Sequence, residues 1–110
     1  MAGLKHPVTP DGRYFVVRGK LWRMSDPSIH PQKKASLVRA LMAARRAVKD
    51  AKNAGDYDSE MEAHRKVDQV KRELGERGPV WWQDAVPDFN RHAVKNSPYF
   101  EWYAKVRRQG

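Results

Sequence analysis

Between residues 84 and 92 the sequence DAVPDFNRH gathers Asp84, Asp88, Asn90 and His92. Two carboxylates and an imidazole are residue types that exchange protons, so a catalytic small-molecule cleft would be sought here. An enzyme built on Asp84, Asp88 and His92 would need a concave pocket and a carboxylate with a displaced pKa. A second titratable row runs through Glu60, His64 and Asp68, spaced by four residues so that all three share one helix face. Such a row can hold a metal, but the neighbouring basic segment has no histidine and only Asp50 to complete it. A solvated row is expected, with no metal. Ser97 precedes a proline and reads as a helix cap rather than a nucleophile. The chain has no Gly-rich phosphate loop, no His-Glu-x-x-His and no Gly-x-Ser-x-Gly. No catalytic residue and no cofactor is assigned, and the chain is expected not to be an enzyme.

Non-covalent binding is the better supported chemistry. Seven of the eleven aromatic residues lie in positions 81–103, within GPVWWQDAVPDFNRHAVKNSPYFEWY. Each large ring can bury roughly 150–250 Å², so this stretch either completes a core or forms an interface. Trp81, Trp82, Phe89 and Trp102 are expected mostly to complete the core of a helical hairpin whose own stripes are Ala, Val and Leu. Rings interleaved with Arg91, Lys95, Arg107 and Arg108 could also stack unpaired bases or form a protein hot spot. The leading expectation is a binding or adaptor module. It presents Trp22, Arg23, Trp81, Trp82, Arg91 and Tyr99 to a protein partner or to a second copy of itself. No small-molecule ligand is indicated.

The charge makes the alternative. Net charge is +9 over 110 residues, which favours an anionic partner. Residues 31–55 hold seven Lys/Arg against Asp50 alone, whereas residues 56–78 hold five against seven acids. If the two segments form a hairpin, Arg45, Arg46, Lys49 and Lys52 are expected to lie beside Asp56, Asp58, Glu60 and Glu62 and to be answered within the fold. The least compensated cations are then Arg18, Lys20, Arg23, Lys33, Lys34 and Arg39, the expected set for nucleic acid.

These groups must be carried by a small number of elements. Tyr14–Val17 and residues 21–24 are β-favouring runs around Arg18-Gly19, a two-residue turn, and Pro10-Asp11-Gly12 marks the turn before them. A short edge strand around Lys5 to Thr9 is conceivable. A first helix is expected over 31–53, with Leu37, Leu41, Ala44, Val48 and Ala51 as its stripe. A second is expected over 57–77, with a Ser59-x-x-Glu62 capping box, a stripe of Ala63, Val67, Val70 and Leu74, and a stop at Gly78-Pro79. So short a link makes the two antiparallel. A turn or two of helix is expected from Pro87 to about Lys95, and a last helix over 99–107 with Tyr99, Trp102, Tyr103 and Val106 on one side.

The expected fold is α+β, mainly α: an N-terminal β-hairpin at 9–24, a central antiparallel helical hairpin, and an aromatic-rich C-terminal segment (79–107) with short helices, folded back over both as one domain. The absence of cysteine excludes disulfides and thiolate sites and fits a reducing compartment. The opening MAGLKHPVTP lacks the apolar run of a signal peptide, and no segment approaches the roughly 20 apolar residues of a membrane span. A cytoplasmic location is expected. The phrases TPDGRYFVVRGKLWRMSDP, LVRALMAARRAVKDA and GPVWWQDAVPDFNRHAVKNSPYFEWY resemble a family of small, uncharacterised bacterial proteins. That resemblance implies a bacterial cytoplasmic protein of about this length and transfers no functional residue.

Overall fold

A computed structural model describes residues 6–109. Its elements are β1 (Tyr14–Val17), β2 (Lys20–Arg23), α1 (Pro31–Ala54), α2 (Tyr57–Leu74), a 3-10 turn (Val94–Asn96) and α3 (Phe100–Gln109). The architecture is α+β and mainly α, as the sequence implied. The described residues gather into two compact units, one from residues 6–24 together with 82–109 and one from Ser25–Trp81.

In the first unit β1 and β2 pair antiparallel, with Tyr14 opposite Arg23 and Val17 opposite Lys20. Two residues remain for the turn, Arg18 at φ 52° and Gly19 at φ 79°. Two successive left-handed residues make a type I′ turn, whose twist matches that of the strands. Alternation along the strands then buries Tyr14, Val16, Leu21 and Arg23 on one face. The edge strand expected near Lys5 to Thr9 reduces to one bridge, Val8 to Phe15, and Lys5 lies outside the described residues. The opposite edge is covered from far along the chain. Leu21 N donates to His92 O (2.9 Å), Arg91 N to Leu21 O (2.6 Å), and Val94 N to Gly19 O (2.9 Å).

Those bonds explain why the short helix expected over 87–95 is absent. Backbone groups of residues 91–94 are spent on β2, Arg91 sits at φ 72°, and only the 3-10 turn Val94–Asn96 remains. Ser97 does act as a cap: its Oγ accepts from Tyr99 N (3.2 Å) and donates to Val94 O (2.8 Å). Trp82 and Phe89 were expected to complete the helical core, and Tyr99 to belong to a binding surface. The ring contacts they make instead run through Tyr14 on β1. Trp82 meets Tyr14 edge-on at 5.7 Å, Tyr99 meets Tyr14 at 5.7 Å, and Phe89 meets Tyr99 at 6.4 Å. Tyr14 is fully buried, so it is the natural hub for those rings.

The second unit has its own core. Leu41 of α1 packs with Val70 and Leu74 of α2, flanked by Leu37, Ala40 and Val67, all members or neighbours of the two stripes. The cap of α2 differs from the expected box. Asp56 is the N-cap: it accepts from Ser59 N (3.1 Å) and from Ser59 Oγ (2.7 Å), and these bonds hold its carboxyl below the usual value. Glu62 instead turns forward to Arg65. Helix α2 also stops a turn before Gly78-Pro79. Gly75 takes φ 84°, and Glu76 N closes back on Lys71 O (3.0 Å), the bonding of a Schellman end. No helix of the described residues is long and apolar enough to cross a membrane.

The two helix-ending glycines make a graded prediction. At Gly55 (φ 68°) an added Cβ meets nothing within 4 Å, so Gly55→Ala carries only the left-handed backbone penalty of about 1–2 kcal/mol. At Gly75 the same methyl would lie 3.0 Å from Asp26 Cβ and 3.2 Å from Trp81 Cδ1. Gly75→Ala should therefore lower the urea midpoint more than Gly55→Ala, and equal losses would show that the close approach has no energetic weight.

Candidate functional site

The proton-exchanging residues of the sequence are occupied in holding the fold. Asp84 accepts from the Arg13 guanidinium and from Val86 N (3.1 Å). The Arg13 bond, more than any other contact, keeps its carboxyl below the usual range. Arg13 also lies 4.6 Å over the Trp82 ring. Asp88 accepts from Tyr14 Oη (3.0 Å) and Asn90 N (3.0 Å), and stands 3.7 Å from Arg23 Nη2. Phe89 N donates to the same Tyr14 oxygen (2.8 Å), and His92 packs edge-on against Phe89. Each group thus faces a structural partner. Farther along, Tyr99 Oη donates to Asp11 Oδ2 (2.6 Å) and Thr9 Oγ1 to Asp11 Oδ1 (2.7 Å). Burial raises the Asp11 pKa, but the Tyr99 and Thr9 bonds outweigh it and the net shift is downward. In α2, His64 Nε2 meets Glu60 at 3.2 Å, while Asp68 is taken by Arg72 and Arg77.

The expected protein-contact surface is dispersed. Arg23 is 4% exposed and Trp82 8% exposed, so neither presents a face outward. Arg23 shares the inward side of β2 with Leu21, where Asp88 meets its charge, and Trp82 Nε1 donates to Val86 O (3.0 Å). Tyr99 is half-buried and committed to Asp11. Trp81 belongs to the helical unit, beside Gly75. Trp22 and Arg91 stay together, the guanidinium 5.8 Å over the indole on the outer side of β2. Of the expected nucleic-acid set, burial removes Arg23. Arg18 and Lys20 are exposed around the hairpin turn, and Lys33, Lys34 and Arg39 are exposed on the early turns of α1.

The expected charge balance within the helical hairpin is not what the side chains do. Acids of α2 pair along their own segment: Glu60 with His64, Glu62 with Arg65, Asp68 with Arg72 and Arg77. Partners three or four positions away on one helix are nearest, and Asp56 is already spent as a cap. Among the described residues none of the seven Lys/Arg of α1 takes part in an ion pair, and all seven are exposed. Lys34, Val38, Met42, Arg45, Lys49 and Lys52 follow at intervals of four, four, three, four and three, so one flank of α1 carries four cations about the exposed Val38 and Met42 (55%).

A cleft in the first unit adds concavity to this charge. It encloses about 390 Å³, within the roughly 300–1,000 Å³ of ligand sites. Its cations are Arg18 and Lys20 from the hairpin, Lys95 from the 3-10 turn and Arg107 from α3, and no acid lines it. Val94, Phe100 and Tyr103 give it an apolar lining, with Arg107 standing 5.8 Å over the Tyr103 ring. A second hollow of about 600 Å³, lined by His6, Val17 and Trp22, shares Arg18 and Lys20 as its wall. Sequence reasoning had Arg18 and Lys20 in one candidate set and Lys95 and Arg107, with the rings interleaved among them, in another, and did not join the two into one site. The signal was present in the intervals of three and four from Phe100 to Tyr103 to Arg107, which put one charge and two rings on one side of α3.

The Tyr14 network gives a pH prediction. Burial, followed by the bond to Asp88, pushes its phenol from 10.0 up to about 12. A pKa raised on folding stabilises fully below the unfolded value and is lost as pH rises through the folded one. Tyr14 should thus support the fold up to pH 10 and fail through about 12. Tyr14→Phe removes a donor from Asp88 and an acceptor from Phe89 N, at about 1–3 kcal/mol near neutrality. Urea midpoints should show that loss at neutral pH, and the variant should lose less than the parent over the alkaline window. Parallel curves would refute the assignment. Comparison of the chain with family models, curated proteins and solved structures finds no match, so the function is argued from these residues alone.

Proposed function

We propose that this protein is a non-catalytic, cytoplasmic binding module whose partner is nucleic acid. One observation carries the reading: α1 holds seven exposed Lys/Arg against a single acid, none of them ion-paired among the described residues. Cations already neutralised in the fold project little potential, whereas unpaired ones attract a polyanion and gain by releasing its counterions. The acid-free cleft of the other unit points to the same ligand charge. The absence of cysteine agrees with a reducing compartment.

A protein partner or self-association is the second reading, favoured by the Trp22–Arg91 pair and by Met42 exposed among the α1 cations. Light scattering that reports a monomer over the working range, with pull-downs empty after nuclease treatment, removes it.

Fluorescence anisotropy with labelled DNA and RNA at about 50 and 200 mM salt tests the main reading. Binding should be tight at the lower salt and fall steeply at the higher. Replacing Lys34, Arg45, Lys49 and Lys52 by Gln should flatten the plot of log K against log salt by about 3, from the roughly 0.7–0.9 that each phosphate contact adds. No binding at the lower salt would end this proposal.

A further inference from the structure

The basic flank of α1 suits any polyanion, duplex or single-stranded, and it leaves the rings of the other unit without a role. Resting on the nucleic-acid reading above, we propose that the two hollows beside the Arg18-Gly19 turn form one track that takes an unpaired nucleic-acid strand, with phosphates on the shared basic wall and bases against the rings on either side.

Three observations meet here. The hollows adjoin, because Arg18 and Lys20 line both. Each contains both cations and aromatic surface: Phe100 and Tyr103 with Lys95 and Arg107 in one, Trp22 and the His6 ring with Arg18 and Lys20 in the other. Neither lining contains an acid. Phosphate alone would leave Phe100, at 54% exposure, wet, whereas a base offers a π-face of matching size. In a duplex those faces are stacked on one another and cannot reach a ring inside a hollow; in a single strand they can. An acidic peptide would match the charge and supply no base to stack.

A fourth observation is the turn. Arg18 is a non-glycine residue at φ 52°, in a turn where Asn-Gly is the low-strain choice. A long cation at that strained position costs the hairpin stability and places a guanidinium on the ridge between the two hollows. Strain kept at an exposed tip motivates a functional reading of the side chain.

The experiment uses the full chain, a labelled oligothymidylate of about 16 nucleotides, the same oligomer annealed to its complement, and polyglutamate as competitor. Single strand should bind more tightly than duplex, and polyglutamate should compete poorly. Phe100→Ala should weaken single-strand binding by about fivefold or more and leave duplex binding unchanged. Arg18→Asn should raise the denaturation midpoint while weakening single-strand binding and lowering its salt slope by about 0.7. Both positions are exposed, and circular dichroism is the check that each variant folds. Equal affinity for duplex and single strand, or polyglutamate competing as well as the oligomer, overturns the track. So does retention of parental binding by both variants while the α1 replacements abolish it, an outcome under which the nucleic-acid reading survives. Absence of binding to either oligomer ends both.

Discussion

Two strands of four residues cannot persist in water as a hairpin by themselves, and everything in the first unit answers that constraint. The partner edge comes from a stretch that forms almost no regular structure of its own. Residues 91–94 lend their backbone to β2, while Asp84, Asp88 and Asn90 fasten the preceding loop to Arg13, Tyr14 and Arg23 N. The Tyr14 hydroxyl is central because it both donates to Asp88 and accepts from Phe89 N. Buried groups satisfied in this manner stabilise; with one partner removed they become a cost.

That arrangement also explains which parts of the fold were legible in the sequence. The helical hairpin was, because Leu37, Leu41, Ala44, Val67, Val70 and Leu74 repeat at a helical period and Gly55 leaves little room between the helices. The β-hairpin was, because Arg18-Gly19 separates two β-favouring runs by two residues. Of the aromatic segment only the last helix was, expected over 99–107 and found as α3; the loop before it was not. Its shape is set by bonds to residues about 70 positions away, such as Leu21 to His92, and no local period encodes those. Pro87-Asp88 resembles a helix start, yet the Asp88 carboxylate is taken by Tyr14 and Asn90 N. Ring density was read as a lid for helices; within the first unit Trp82 and Tyr99 gather on one buried tyrosine, Tyr14.

Charge was misjudged for a related reason. Proximity of opposite blocks in an antiparallel hairpin suggested mutual neutralisation, but Glu60, Glu62 and Asp68 find closer partners along α2 itself. The cations of α1 are left over by that local preference. The cleft was hidden differently, since Lys20, Lys95 and Arg107 come from three elements that only the tertiary fold of the first unit assembles.

Within the helical unit, Asp26 N bonds to Leu74 O (2.8 Å) and Ser25 Oγ to Glu76 (3.3 Å), so the beginning and end of that segment are clasped. Pairing Leu21 with His92 closes a loop of about 70 residues in an open chain, but of only about two dozen once the clasp has formed, a saving of roughly 1 kcal/mol in closure entropy. Folding therefore has a natural order. Local helices form early and shorten the tether, and the late-synthesised tail then finds a hairpin already within reach.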